Sequence, residues 1–334
     1  MKSRELIQVP DTDAPLAFVA VGDSFTEGLN DAAPGGGFRG WADRLAGMLA
    51  AEHPGVRYAN LAVRGKLLRQ IVREQVPATI SLLEDRVPGS TALVSIAGGG
   101  NDILRPGADP DTLADLFDAA VARLRGSGCD VMLFTGFDPL AFPIMRLLRG
   151  RVAAYNMHLR AIADNRDCYL VDLWSMKVLR DPRAWSSDRL HLNSDSHQRI
   201  ALRACEALGV PVTEDWRAPL DTPSPVPAMP VGSGLGPGLG NALGSGPGNA
   251  LGNGPGPGNG PGPGNGPGPG NGPGPGPGNG GRAARAAWVA ARREDAAWAR
   301  EHFVPWINRR LHGRSSGDGR GAKRPSLEPV TPHA

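Results

Sequence analysis

The stretch AFVAVGDSFTEG, Ala17 to Gly28, carries an apolar segment directly into glycine, aspartate and serine. A short, nearly continuous apolar run of this kind reads as a strand buried on both faces. The Gly22-Asp23-Ser24 that follows reads as a turn, since glycine tolerates positive φ and serine hydrogen-bonds its own backbone. Ser24 is then either an ordinary turn residue or a nucleophile displayed at a strand end. Partners elsewhere in the chain decide between the two.

Four further runs of the same kind follow: VRYANLAV (56–63), TALVSIAG (91–98), CDVMLFTG (129–136) and CYLVDLW (168–174). Between them lie segments of helical period. GWADRLAGMLAAEHPG places Trp41, Leu45, Met48 and Leu49 on one face and stops at Pro54-Gly55; DTLADLFDAAVARLRGSG places Leu113, Leu116, Phe117, Ala120 and Leu124 on one face before a glycine stop. Alternating strands and helices imply right-handed crossovers and a parallel sheet in a three-layer α/β/α fold. Ligands bind such sheets beyond the carboxyl ends of the strands. Those ends read Gly22-Asp23-Ser24, Arg64-Gly65, Gly98-Gly99-Gly100-Asn101-Asp102, Gly136-Phe137-Asp138 and Asp172.

The 334 residues do not make two equal domains. From Asp221 to Gly281 the chain is almost wholly Gly and Pro with Asn, Ala, Leu and Ser, too poor in apolar surface to offset its ordering entropy. Residues 1–220 form one domain, 221–281 a disordered insert, 282–312 a Trp- and Arg-rich helical segment expected to dock on that domain, and 313–334 a disordered basic tail. Within the insert Asn253, Asn259, Asn265 and Asn271 mark a six-residue period with glycine at every second position, which excludes a collagen helix. The three cysteines, Cys129, Cys168 and Cys205, are odd in number and widely spaced, so free thiols are expected rather than a disulfide framework or metal site. The apolar run after MKSRELIQVPDTDAP is too short for a signal-peptide core or a membrane span, and a cytoplasmic location is expected.

The closing block WSSDRLHLNSDSHQRIALRACEALG, 185–209, puts Asp188 and His191 in a loop. The loop precedes a helix capped by Asn193 or Ser194, apolar at Ile200, Ala201, Ala204, Cys205 and Leu208 and ended by Gly209. Serine-mediated ester hydrolysis needs a nucleophile, a base, a carboxylate that orients the base, and donors for the developing oxyanion. Ser24, His191 and Asp188 supply one candidate each, with the backbone amides of Ser24 and Gly65 and the side-chain amide of Asn101 as donors.

Gly22-Asp23-Ser24-Phe25, Gly65 in NLAVRGK, Gly99-Gly100-Asn101-Asp102 and Asp188-Arg189-Leu190-His191 together resemble the four motif blocks of the SGNH hydrolases, also called GDSL esterases and lipases. The resemblance runs in order over residues 16 to 209. It implies a flavodoxin-like three-layer α/β/α sandwich with a five-stranded parallel sheet of order 2-1-3-4-5. It also implies a small-molecule acyl ester as substrate and no metal or other cofactor. By the same resemblance Ser24 is the nucleophile, Asp188 and His191 are the acid and base, and Ser24, Gly65 and Asn101 form the oxyanion hole. The chain departs from the family pattern at Phe25, where leucine is usual, and at Ser196, where glycine often precedes a second histidine, here His197.

Competing motifs fail. GGGFRG, 35–40, starts too far beyond the strand for a dinucleotide turn, and Thr26 stands where an α/β-hydrolase elbow needs glycine. Asp188, His191 and His197 follow no recognised zinc pattern. The alternative function is a non-catalytic scaffold whose basic C-terminal segment binds a partner, nucleic acid or a membrane surface. Residues 282–334 hold eleven basic and five acidic residues, a net +6 against +3 for the chain. Their aromatic residues Trp288, Trp298, Phe303 and Trp306 favour docking on the domain, so nucleic-acid binding is not expected, nor is a transmembrane segment.

Overall fold

A computed structural model describes residues 15–53, 55–87, 89–142, 145–220, 293, 296–311 and 315–331. Strand β1 (Leu16–Val21), from the opening stretch, lies at the centre and is buried along its whole length. Strands β2 (Arg57–Asn60) and β3 (Thr91–Ile96) pair with it in parallel on either side, and β4 (Asp130–Phe134) and β5 (Tyr169–Val171) extend the sheet beyond β3, also in parallel. The side chains alternate between two cores, as the pleat requires. Phe18 and Ala20 face one core with Trp41, Leu45 and Leu49 of helix α2 (Trp41–Glu52) and Ile200, Ala204 and Leu208 of a helix near residue 200. Ala17, Val19 and Val21 face the other, with Leu83, Phe117, Val121, Leu124, Tyr155 and Leu159. Two packed faces explain why β1 reads as continuous rather than alternating hydrophobicity.

The helices follow in chain order: α1 (Ser24–Glu27) directly after β1, then α2, α3 (Leu68–Gln70), α4 (Val76–Glu84), α5 (Gly100–Ile103), α6 (Pro110–Gly126), α7 (Arg149–Asn165) and α8 (Ser194–Leu208). Asn193 caps α8, its side-chain oxygen accepting from the Ser196 amide, and Gly209 ends it in the left-handed conformation. The three cysteines are free and buried.

The strands run β5-β4-β3-β1-β2-β6. The first five have the expected order 2-1-3-4-5, and the sixth is an addition. β6 (Arg324–Pro329) pairs antiparallel with β2, in the tail expected to be disordered. The composition concealed it: Pro325 and Pro329 cannot donate to a ladder, and Leu327 is the one apolar side chain of the strand. Proline is compatible with an edge strand, and the open edge of β2 supplies the acceptors and donors that no local pattern announces. Leu327 is buried against the second core.

Of the helical segment expected over 282–312, the chain winds through a wide turn at Ala299–Phe303 into helix α9 (Val304–Leu311). Pro305 therefore lies within a continuous helical run, just after the wide turn, rather than ending a helix. The Gly/Pro/Asn stretch 221–281, Trp288 and the side chains of Phe303 and Trp306 lie outside the described residues. The described parts of 15–220 and 297–331 belong to one compact unit.

Candidate active site

Ser24 is the first residue of α1, so its amide has no acceptor within the helix and points outward from the carboxyl end of β1. Asp23 caps that helix, its Oδ1 accepting from the Phe25 amide at 3.0 Å. Gln75 clamps the preceding residue on both sides: the Gly22 amide donates to its Oε1 at 2.7 Å, and its Nε2 donates to the Gly22 carbonyl at 2.9 Å. Helix α1 ends at Gly28 with φ 83°, where a Cβ would run into the backbone of Gly40 at the start of α2. The tight packing of two glycines lets α2 pass directly behind the serine turn.

The closing loop returns to this edge. His191 Nε2 lies 3.2 Å from Ser24 Oγ, and His191 Nδ1 lies 2.7 Å from Asp188 Oδ2. Asp188 is itself fully engaged. Its Oδ1 accepts from the amides of Leu190 and His191, each at 3.0 Å, and from the Ser186 hydroxyl at 2.7 Å, while its Oδ2 also accepts from Asn30 Nδ2 at 2.8 Å. Burial opposes ionisation of Asp188, but the hydrogen bond and charge of His191, with the Leu190 amide and the Ser186 hydroxyl, outweigh it. They hold the carboxyl well below its ordinary range. A permanent carboxylate facing Nδ1 selects the imidazole tautomer protonated there and leaves the Nε2 lone pair toward Ser24.

Ser24, Asn101 and His191 line one cavity of about 210 Å³. Asn101 Nδ2 donates to Asp23 Oδ2 at 2.9 Å and to the Lys66 carbonyl at 3.1 Å. Gly65, with φ 75°, is not among the residues lining that cavity, though its neighbour Lys66 holds Asn101 and its neighbour Arg64 is held by Glu27. The Glu27 carboxylate accepts from both the guanidinium and the backbone amide of Arg64, tying the end of α1 to the turn after β2. Asp102 braces the neighbouring loop, accepting from the Leu68 amide at 2.9 Å.

Sequence reasoning missed Asn30, Gln75, Glu27 and Ser186, each of which orients a group it did find. Glu27 and Ser186 sit beside motif residues, Ser186 two positions before Asp188; Asn30 and Gln75 are brought in by the fold across 158 and 53 positions and have no local signature. His197 is buried: its Nδ1 accepts from the Trp41 amide at 3.2 Å. Burial lowers its pKa to about 4 against the opposing charge of Asp31, with smaller contributions in the same direction from Arg44, Lys323 and His191. Among the described residues, no group of three or more His, Cys, Asp or Glu side chains is arranged to hold a metal ion, and no helix is long and apolar enough to cross a membrane.

The family model of the GDSL-like lipase/acylhydrolase family matches residues 20–199, more than half of the chain, and spans every residue of the Ser24, Gly65, Asn101, Asp188 and His191 set. The chain belongs to that family. As a GDSL-family protein it is a hydrolase acting on ester bonds. Solved structures similar to it include LAE5, an alpha/beta hydrolase enzyme from the metagenome of Lake Arreo, at 24% identity over 58% of this chain and 95% of that one, with a TM-score of 0.48. TesA is 22% identical over 57% of this chain and 97% of its own, with a TM-score of 0.47. Axe2, an acetylxylan esterase from Geobacillus stearothermophilus, is 21% identical over 60% and 95%, with a TM-score of 0.48. No curated protein matches this GDSL-family chain.

Proposed function

We propose that this protein hydrolyses carboxylic esters of medium-length acyl chains through an acyl-Ser24 intermediate. The observation that carries the reading is the hydrogen-bonded series Ser24 Oγ, His191 and Asp188, the first two of which line an apolar cavity. Ser24 Oγ attacks the ester carbonyl carbon while its proton passes to His191 Nε2, 3.2 Å away. The carbonyl oxygen becomes an oxyanion that accepts from the amides of Ser24 and Gly65 and from Asn101 Nδ2. Asn101 makes that bond by trading away its 3.1 Å contact with the Lys66 carbonyl, while Asp23 keeps hold of the other amide proton. Collapse expels the alcohol, which takes the proton from His191 and leaves the acyl group on Ser24. A water then gives its proton to His191 and attacks the acyl carbon; the acid departs, and the proton returns to Ser24. Throughout, Asp188 stays ionised and stabilises the transient imidazolium.

The cavity wall supports the choice of acyl group. Phe25, Phe134, Phe137, Leu148, Val152 and Trp185 are among its lining residues, and Phe137, Phe142 and Trp185 form a contiguous ring cluster with centroids 4.4 to 6.3 Å apart. A dry apolar cavity of about 150 Å³ takes up benzene, roughly 25 Å³ per carbon, so a volume of about 210 Å³ accommodates an acyl chain of about eight carbons. Each methylene buried there contributes about 0.8 kcal/mol, which favours such a chain over acetyl.

A fluorophosphonate probe and a series of p-nitrophenyl esters from acetyl to palmitoyl test both parts. Labelling is expected in the wild type and not in Ser24→Ala, with kcat/KM rising to a maximum near octanoyl. Labelling that survives Ser24→Ala removes the nucleophile assignment, and a maximum at acetyl removes the acyl-pocket assignment.

A further inference from the structure

The family match ends at residue 199, yet residues from 298 onward touch three loops of the site. The Trp298 indole N–H, a group that can only donate, is bonded to the main-chain carbonyl of Asp188 at 2.7 Å, and the Arg189 guanidinium lies 5.8 Å from the Trp298 ring centroid. The turn they hold carries both Asp188 and His191. It passes through Arg189 at φ 51°, a left-handed conformation that residues other than glycine adopt at a cost.

Lys323 holds the opposite side of the site. Its ammonium has three N–H donors and meets three acceptors: the Glu27 carbonyl at the end of α1, at 2.6 Å, the Phe38 carbonyl at 3.1 Å, and the Asp43 carboxylate. Glu27 in turn grips Arg64, next to Gly65. The tail also lies directly on that turn. A Cβ at Gly317 would overlap the Arg64 carbonyl oxygen, and the Ser315 hydroxyl is 3.5 Å from the same oxygen. Strand β6 then anchors this stretch beside β2, the strand that leads to Gly65.

We propose that the described residues of 298–311 and 315–329, which follow the Gly/Pro stretch in the chain, act as a clamp on the active site. In it Trp298 positions the Asp188–His191 turn, and Lys323 positions the Ser24 helix and the Gly65 turn. The proposal rests on the acyl-Ser24 reading for its kinetic consequence, and on hydrogen bonding alone for its structural one. Neither residue touches substrate. Each acts through a backbone carbonyl of a loop that bears a reacting group, where displacement of about 1 Å costs on the order of 100-fold in rate.

The test uses the full chain with Trp298→Phe, which keeps an aromatic ring and removes the N–H, and Lys323→Met, which keeps the stem and removes the ammonium. Turnover of p-nitrophenyl octanoate is measured per Ser24 site titrated with fluorophosphonate, and amide hydrogen exchange is followed at residues 24–28 and 186–191. Each variant is expected to lose about tenfold in kcat per titrated site with KM unchanged. Exchange should accelerate at 186–191 in the first variant and at 24–28 in the second. Wild-type kcat per titrated site in both variants overturns the clamp, even where the melting temperature or the titratable fraction falls, because that pattern marks a purely structural segment. A wild-type chain inert to both ester and probe overturns the acyl-Ser24 reading instead. Exchange then decides the clamp alone, and unchanged exchange overturns it.

Discussion

His197 makes the fold sensitive to acid in a range where its carboxylates do not. The ring is 1% exposed, and its pKa is lowered from 6.5 to about 4, chiefly by burial; the charge of Asp31 opposes the shift, and those of Arg44, Lys323 and His191 add to it. A histidine whose folded pKa is depressed binds a proton in the unfolded chain before it does so in the folded one, so stability falls as the pH drops through 6.5 toward 4. With one pKa unit equal to 1.36 kcal/mol, the full loss is about 3 kcal/mol, of which about 2 kcal/mol falls between about pH 7 and about pH 5. For a domain of this size that is a drop of about 4 to 8 °C in melting temperature. The carboxylates with lowered pKa values, Asp138 beside Arg149 and Asp118 beside Arg166 among them, contribute stability lost only below their own unfolded range, nearer pH 4. The variant that isolates the effect is His197→Asn, whose side-chain oxygen can still accept from the Trp41 amide but cannot titrate. Urea unfolding of both proteins at intervals from pH 7 to pH 5 should show the wild type losing about 2 kcal/mol more than the variant across that interval, whatever their offset at pH 7. Parallel pH profiles for the two proteins would refute the argument.

Three further outcomes follow from the site. Asp188→Asn should leave the fold intact and lower kcat by about 10⁴-fold by favouring the wrong imidazole tautomer, read in a steady-state assay alongside a melting curve. Under the proposed mechanism, in which its donor serves the oxyanion and not the bound ester, Asn101→Ala should lower kcat by roughly 10²–10³-fold with little change in KM; a change confined to KM would contradict this. Gly28→Ala should destabilise the protein through both its φ of 83° and its contact with Gly40, and a variant melting at the wild-type temperature would show that α2 can shift away.

The central strands and the motif blocks were legible in the sequence because each is written locally. Doubly buried strands require continuous apolar runs, and the turn after β1 requires small residues. A carboxylate and an imidazole three positions apart in one loop bond each other wherever that loop goes, as Asp188 and His191 do. The supporting groups were not legible because their signal lies in pairs distant in sequence. Gln75 resembles any helical glutamine until it is seen to clamp Gly22, and Asn30 any loop asparagine until its amide reaches Asp188. Strand β6 was missed because two prolines and one buried leucine look disordered without the open edge of β2 beside them.

The sequence by itself determined the α/β class, the order of the five parallel strands through the resemblance its motifs carry, and the residue types needed for ester hydrolysis. Those follow from periodicity and from chemistry that tolerates few substitutions. The tertiary structure alone decided that Ser24 and His191 meet at 3.2 Å and that about 210 Å³ of apolar space opens beside them. It alone decided that Trp298 and Lys323 come to rest on the backbone of the loops carrying the site. The reason is that backbone carbonyls are the acceptors: every residue has one, so nothing in the sequence marks which will be used.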